Sequence, residues 1–217
     1  MPKLFLSFIS LALIICTTLC SCSYRGESHV KALKETAQSM VEKGSKLLSE
    51  RKYDEAAQMF QRALELDPRN DNAYVFKSNL HLQKNENEQA LADATAALKL
   101  NKDNVFGYVN RACALINLKQ YEPAMVDCSK AIEKDPTFYS AFGNRGVALF
   151  YLGEHKEAVR DLTIAIQKLK DKDAAQFYFV RSQCFREMGK EKLSASDKAK
   201  SRELGYNFTE IKPQETK

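Results

Sequence analysis

From residue 37 to about residue 208 the apolar positions step by three and four, the spacing that places side chains on one face of an α-helix. Met40, Gly44 and Leu47 follow this rhythm, as do Ala56, Phe60, Ala63 and Leu64. Short polar stretches interrupt it, such as Glu50-Arg51-Lys52, Leu152-Gly153-Glu154 and Met188-Gly189-Lys190. Pro123 falls just inside the start of a predicted helix, where a missing N–H costs little. Pro68 and Pro136 follow predicted helices and stop them. The pattern predicts consecutive helix–turn–helix units.

These units repeat. Blocks beginning at Ala37, Asp71, Val105, Tyr139 and Ala175 align at a spacing of 34 residues, with two extra residues before the last block. The fourth place is large and apolar in each: Met40, Tyr74, Tyr108, Phe142, Tyr178. The eighth is small: Gly44, Ser78, Ala112, Gly146, Ser182. So are the twentieth (Ala56, Ala90, Ala124, Ala158, Ser194) and the twenty-seventh (Ala63, Ala97, Ala131, Ala165, Ser201). Two antiparallel helices approach closely only where neither carries a bulky side chain, which accounts for small residues at fixed places.

The block pattern resembles the tetratricopeptide repeat family from about Ala37 to Phe208, most closely in Tyr139–Lys172 with its FGNRGVALFYLGEHKEAVRDLTIAI run. Repeat two departs at His81 and Lys102, repeat four at Lys170, and repeat five at Lys198. The resemblance implies an all-α fold, a right-handed superhelical solenoid of about five repeats closed by a polar C-terminal capping helix. Lys190, Lys192, Lys198, Lys200 and Arg202 suit such a cap, because a terminal helix has no neighbour to cover its outer face. The expected organisation is a signal peptide at 1–21, then a lipid-attachment cysteine, tether and helix start at 22–36. A repeat domain follows at 37–208, in blocks 37–70, 71–104, 105–138, 139–172 and 175–208, and a polar tail at 209–217.

The N-terminal part of this expectation rests on other residues. Leu4–Leu19 is almost wholly apolar after a single Lys3, and its 16 residues are short for a bilayer span but fit the apolar region of a secretory signal. Leu19-Cys20-Ser21-Cys22 is similar to the lipobox of bacterial lipoproteins, with Ser21 before the cysteine and Leu19 three places ahead; Cys20 at the intervening place is the departure. That resemblance implies lipid attachment at Cys22 and a place in the bacterial cell envelope, with Ser23 favouring the outer membrane. Ordinary cleavage near Ser23, giving a secreted or periplasmic chain, and retention as a short anchor are the alternatives.

Composition narrows the chemistry. Of 217 residues 44% are apolar and 28% charged, which excludes a disordered or collagen-like chain, and eight Gly with five Pro argue against an all-β fold. The net charge of +5 comes from Lys and Arg interspersed with acids, so nucleic acid is not an expected partner. Cys113, Cys128 and Cys184 are widely spaced and read as apolar filler; no disulfide framework or metal site is expected. His29, His81 and His155 sit in different repeats with no acid or cysteine at catalytic spacing. Phosphate-binding, dinucleotide and hydrolase motifs are absent from the sequence, so no enzyme activity, cofactor or small-molecule substrate is expected.

Two residue series remain. The seventh place is basic throughout (Lys43, Lys77, Arg111, Arg145, Arg181), and the twenty-third is acidic in four repeats (Asp93, Asp127, Asp161, Asp197). A positive stripe for an acidic partner is one reading. Mutual neutralisation across the helix interface is favoured, pairing Arg111, Arg145 and Arg181 with Asp127, Asp161 and Asp197 of the same repeat, or with the preceding repeat's Asp. The second series follows from the family resemblance, which implies that places 2, 5, 6, 9, 12 and 13 line a concave groove. There Phe76, Asn79, Phe106, Asn110, Asn144 and Tyr151 offer amides for an extended peptide backbone and rings for its side chains. Groove places five and six carry no Lys or Arg in any repeat, so a clamp on a terminal carboxylate is not expected. The function expected is a membrane-tethered adaptor for a protein or extended peptide. The alternative is a scaffold that acts through self-association or its convex face.

Overall fold

A computed structural model describes residues 28–206. The signal peptide, Cys22 and the polar tail expected from the sequence lie outside these residues. Among the described residues the fold is all-α, with ten helices in helix–turn–helix pairs: α1 (28–49), α2 (Tyr53–Leu66), α3 (Asp71–Gln83), α4 (Asn87–Leu100), α5 (Val105–Asn117), α6 (Tyr121–Lys134), α7 (Tyr139–Tyr151), α8 (His155–Lys168), α9 (Asp171–Glu187) and α10 (Glu191–Glu203). The chain divides into two compact units, up to Ala73 and from Tyr74 onward.

One kind of turn closes every pair. The residue two places before the second helix adopts positive φ: Arg51 (61°), Asn85 (58°), Lys119 (61°), Gly153 (82°) and Gly189 (71°). The next N–H then reaches back five residues, as in Lys52 N to Leu47 O (2.9 Å), Glu86 N to His81 O (2.8 Å) and Gln120 N to Leu115 O (2.8 Å). This bond is that of a Schellman motif, which satisfies a carbonyl at the end of the first helix. Only two of the five positions are glycine, so three turns hold an L-residue in a left-handed conformation.

A different device joins one pair to the next. Asp67, Asn101 and Asp135 each accept a bond from the N–H two residues on, at 3.1, 3.0 and 2.8 Å. These Asx turns hold the linkers before α3, α5 and α7. Leu169 occupies the equivalent place before α9 and has no side-chain oxygen. There the linker shrinks to Leu169-Lys170 and α9 starts at Asp171, ahead of the block start expected at Ala175.

Small residues set the approach within each pair. In the first unit, a Cβ on Gly44 would meet the Phe60 ring at 2.5 Å. In the second, a Cβ on Gly146 would meet Leu162 at 2.7 Å, and Ala90, Ala97, Ala124, Ala131, Ala158 and Ala165 are wholly buried. Polar members are satisfied: Ser78 Oγ donates to Ala90 O (2.8 Å) and Ser201 Oγ to Ala175 O (2.7 Å). Across the second unit, the backbones of first helices approach one another directly (α5 with α7, α7 with α9), whereas among the described residues those of α6, α8 and α10 do not. The first helices therefore form the inner layer.

Candidate functional site

The seventh-place bases meet the twenty-third-place acids across each pair. Arg111 Nε and Nη2 donate to Asp127 Oδ2 and Oδ1 at 2.6 and 2.7 Å. Arg145 holds Asp161 at 2.6 and 3.0 Å, and Arg181 holds Asp197 at 2.7 and 2.9 Å. All three pairs lie within one repeat, and the acids are 4 to 6% exposed. Sixteen residues separate each base from its acid, which brings them opposite one another across the turn. Each guanidinium also lies over the fourth-place ring, 5.7 Å from Tyr108, 5.5 Å from Phe142 and 5.5 Å from Tyr178. The third nitrogen of Arg145 donates to Ser129 (3.3 Å) and that of Arg181 to Thr163 (2.9 Å), both in the preceding pair.

Repeat two builds the same place differently. Lys77 reaches one oxygen of Asp93 at 3.3 Å, and His81 Nε2 stands 3.3 Å from the other. His81 Nδ1 lies 2.6 Å from Glu86 Oε2. His81 thus has two carboxylate neighbours that its spacing in the sequence did not point to: the turn brings Glu86 back onto it, and α4 supplies Asp93. Burial raises the Asp93 carboxyl above its ordinary value, since Lys77 and His81 offset desolvation only in part. Hydrogen bonds from His81 and then Lys84 lower Glu86.

The six residues expected to line the groove differ in what they can offer. Phe106 is 57% exposed, with its ring edge-on to Phe138 at 5.1 Å. Phe76 and Asn79 are half-buried, and Asn79 Oδ1 accepts from Gln83 at 3.2 Å. Asn110 Nδ2 donates to Val75 O of the preceding repeat (3.0 Å), which fixes the amide and leaves Oδ1 as its acceptor. Asn144 is only 7% exposed and donates to Cys113 Sγ at 3.1 Å, so its amide packs between α5 and α7 rather than facing a ligand. Tyr151 stacks on Tyr121 with centroids 4.5 Å apart. Burial, followed by the Tyr121 and Tyr206 phenols, pushes the Tyr151 hydroxyl up to about 12.

Sequence reasoning missed a second cross-repeat series. Asn117 Nδ2 donates to Asn87 Oδ1 at 2.8 Å, and Tyr151 lies on Tyr121, each pair 30 residues apart. The seventeenth place of one repeat therefore meets the thirteenth of the next. That offset is legible only once the stacking direction is known.

Cys113 and Cys184 are pushed up to about 11 and about 12 by burial, and Cys128 lies well above the ordinary thiol value for the same reason. Buried, protonated thiols of this kind are poor nucleophiles. Among the described residues, no group of three or more His, Cys, Asp or Glu could hold a metal ion.

Tetratricopeptide repeat models match residues 47–104 and 107–138. No curated protein matches the chain. Solved structures share the fold at low identity. PilF of Pseudomonas aeruginosa is 16% identical over 82% of this chain and 80% of that one, with a TM-score of 0.69. TTC0263, a thermophilic tetratricopeptide repeat protein of Thermus thermophilus, is 20% identical over 78% and 91%, at 0.64. YrrB, described as a tetratricopeptide repeat protein with an unusual peptide-binding site, is 19% identical over 82% and 92%, at 0.59.

Proposed function

We propose that this tetratricopeptide repeat protein is a membrane-tethered adaptor that holds a protein or extended peptide against the inner, first-helix layer of its second unit. Tetratricopeptide repeats are typically non-enzymatic scaffolds with protein or peptide partners. One observation carries the finer reading: Phe106, more than half exposed, stands on a first helix whose inner-face places bear no charged side chain. An exposed ring beside the fixed acceptor of Asn110 suits an extended chain, which presents both N–H groups and side chains. Phe76, Asn79 and Tyr151 extend the same layer. The tether is proposed from the Leu4–Leu19 run and Cys22, with lipid on Cys22 holding the chain in a bacterial envelope, the outer membrane favoured.

A photo-crosslinking residue at position 106, with a control at Val126 on the second helix α6, tests the surface in envelope membranes. Adducts from 106 and none from 126 support the adaptor. Exposed Val126 (47%) and Ile164 (36%) on second helices favour the alternative, a scaffold acting through self-association or its outer layer. Adducts at 126 alone, or a dimer in light scattering, establish that reading instead.

A further inference from the structure

After α10 the chain repeats the turn used inside every pair. Gly205 adopts φ +84° and Tyr206 N donates to Ser201 O at 3.1 Å. In the five internal turns, the residue after the positive-φ position is polar: Lys52, Glu86, Gln120, Glu154 and Lys190. In this sixth turn it is aromatic. Tyr206 is half-buried, and its ring centroid lies 5.7 Å from that of Phe179 on α9. Ser201 Oγ fixes the end of α10 to Ala175 O, so the turn delivers Tyr206 onto the first-helix layer.

We propose that Tyr206 is an intramolecular placeholder: it occupies, against Phe179, the subsite that takes an aromatic side chain of an extended peptide partner, which must displace it to bind. This rests on the peptide-face reading above and specifies the partner as aromatic-bearing. A ring packed on Phe179 is recognised by aromatic contact, which a peptide Phe or Tyr reproduces and an aliphatic residue does not. The end of a helix frays at little free-energy cost, so exchange does not require unfolding.

The probe is a fluorescent peptide of the chain's own sequence at residues 202–210, Arg-Glu-Leu-Gly-Tyr-Asn-Phe-Thr-Glu, titrated into the full chain and its variants by anisotropy. Tyr206→Ala is expected to bind it at least about tenfold more tightly than wild type, since the internal competitor is gone. Replacing both peptide aromatics by Ala abolishes that gain. Tyr206→Leu, which keeps apolar cover at the chain end, serves if circular dichroism shows that Tyr206→Ala is misfolded; it too gains affinity. Equal binding by wild type and a folded variant, or binding by neither, overturns the proposal and leaves Tyr206 an end cap. Because the probe is the chain's own segment, that failure leaves crosslinking at position 106 to decide the adaptor reading separately.

Discussion

Replacing Asp127 by Asn preserves the shape of the carboxylate and removes its charge. In the folded chain this carboxylate takes two guanidinium bonds from Arg111, at 2.6 and 2.7 Å, and Asp127 is 4% exposed. An Asn can accept from one nitrogen, but its own NH2 then faces the other. Removing one partner of a fully buried pair costs about 3–5 kcal/mol, because the remaining charge stays desolvated. The Arg111 side chain is 23% exposed and rests on Tyr108, so water and the ring supply part of what is lost. A cost of about 2–3 kcal/mol follows for Asp127→Asn. The matching double variant, Arg111→Met with Asp127→Leu, is expected within about 1 kcal/mol of wild type, since an apolar pair carries no desolvation penalty. Urea unfolding by circular dichroism measures both, and hydrogen exchange in α5 and α6 localises the effect. A cost below about 0.5 kcal/mol for Asp127→Asn, or a double variant as unstable as the two single losses added, refutes the reasoning.

Lys119→Gly is expected to stabilise by about 0.5–1 kcal/mol, and Gly153→Ala to destabilise by about 1 kcal/mol, because both sit at positive φ and a Cβ at Gly153 touches nothing; opposite signs in thermal unfolding would remove the strain argument. Asp93→Asn is expected to change stability by less than about 1 kcal/mol at neutral pH, unlike Asp127→Asn, since the Asp93 carboxylate is held against a desolvation cost. As the folded Asp93 carboxyl lies above its ordinary value near 3.8, the folded state holds this proton longer. Its contribution to stability is present at low pH and is lost as pH rises through the raised value, and wild type minus Asp93→Asn unfolding free energies across that range read the slope. Cys22→Ala is expected to leave an unprocessed precursor that takes up no palmitate analogue; a variant that labels and fractionates like wild type excludes the lipid tether.

What could be read from the sequence were the features that recur with the repeat. Small residues at places 8, 20 and 27 locate the close approaches, and the Arg–Asp series emerges because both members shift together from one block to the next. Features that break the repeat or cross it at another offset were hidden. The positive-φ turn place is glycine only at 153 and 189, so Arg51, Asn85 and Lys119 carry no residue signature of their backbone. The early start of α9 coincides with Leu169 standing where Asp67, Asn101 and Asp135 each accept a turn bond, a correspondence visible only once those bonds are known. Asn144 looked equivalent to Asn110 by place, yet it faces a cysteine side chain where Asn110 faces a backbone carbonyl. Tyr206 lies beyond α10, the last helix among the described residues, where periodicity gives no guidance.

The third nitrogen of Arg145 and of Arg181, bonded to Ser129 and Thr163 of the preceding pair, bridges an outer layer in which, among the described residues, the backbones of α6, α8 and α10 do not approach one another. In a linear array the sharpness of melting depends on nearest-neighbour coupling rather than on the strength of any one repeat. These two bonds couple α5–α6 to α7–α8 and α7–α8 to α9–α10. At the junction of α3–α4 with α5–α6, Asn110 Nδ2 to Val75 O and Asn117 Nδ2 to Asn87 Oδ1 serve the same end. The array from α3 to α10 should therefore melt as one cooperative unit.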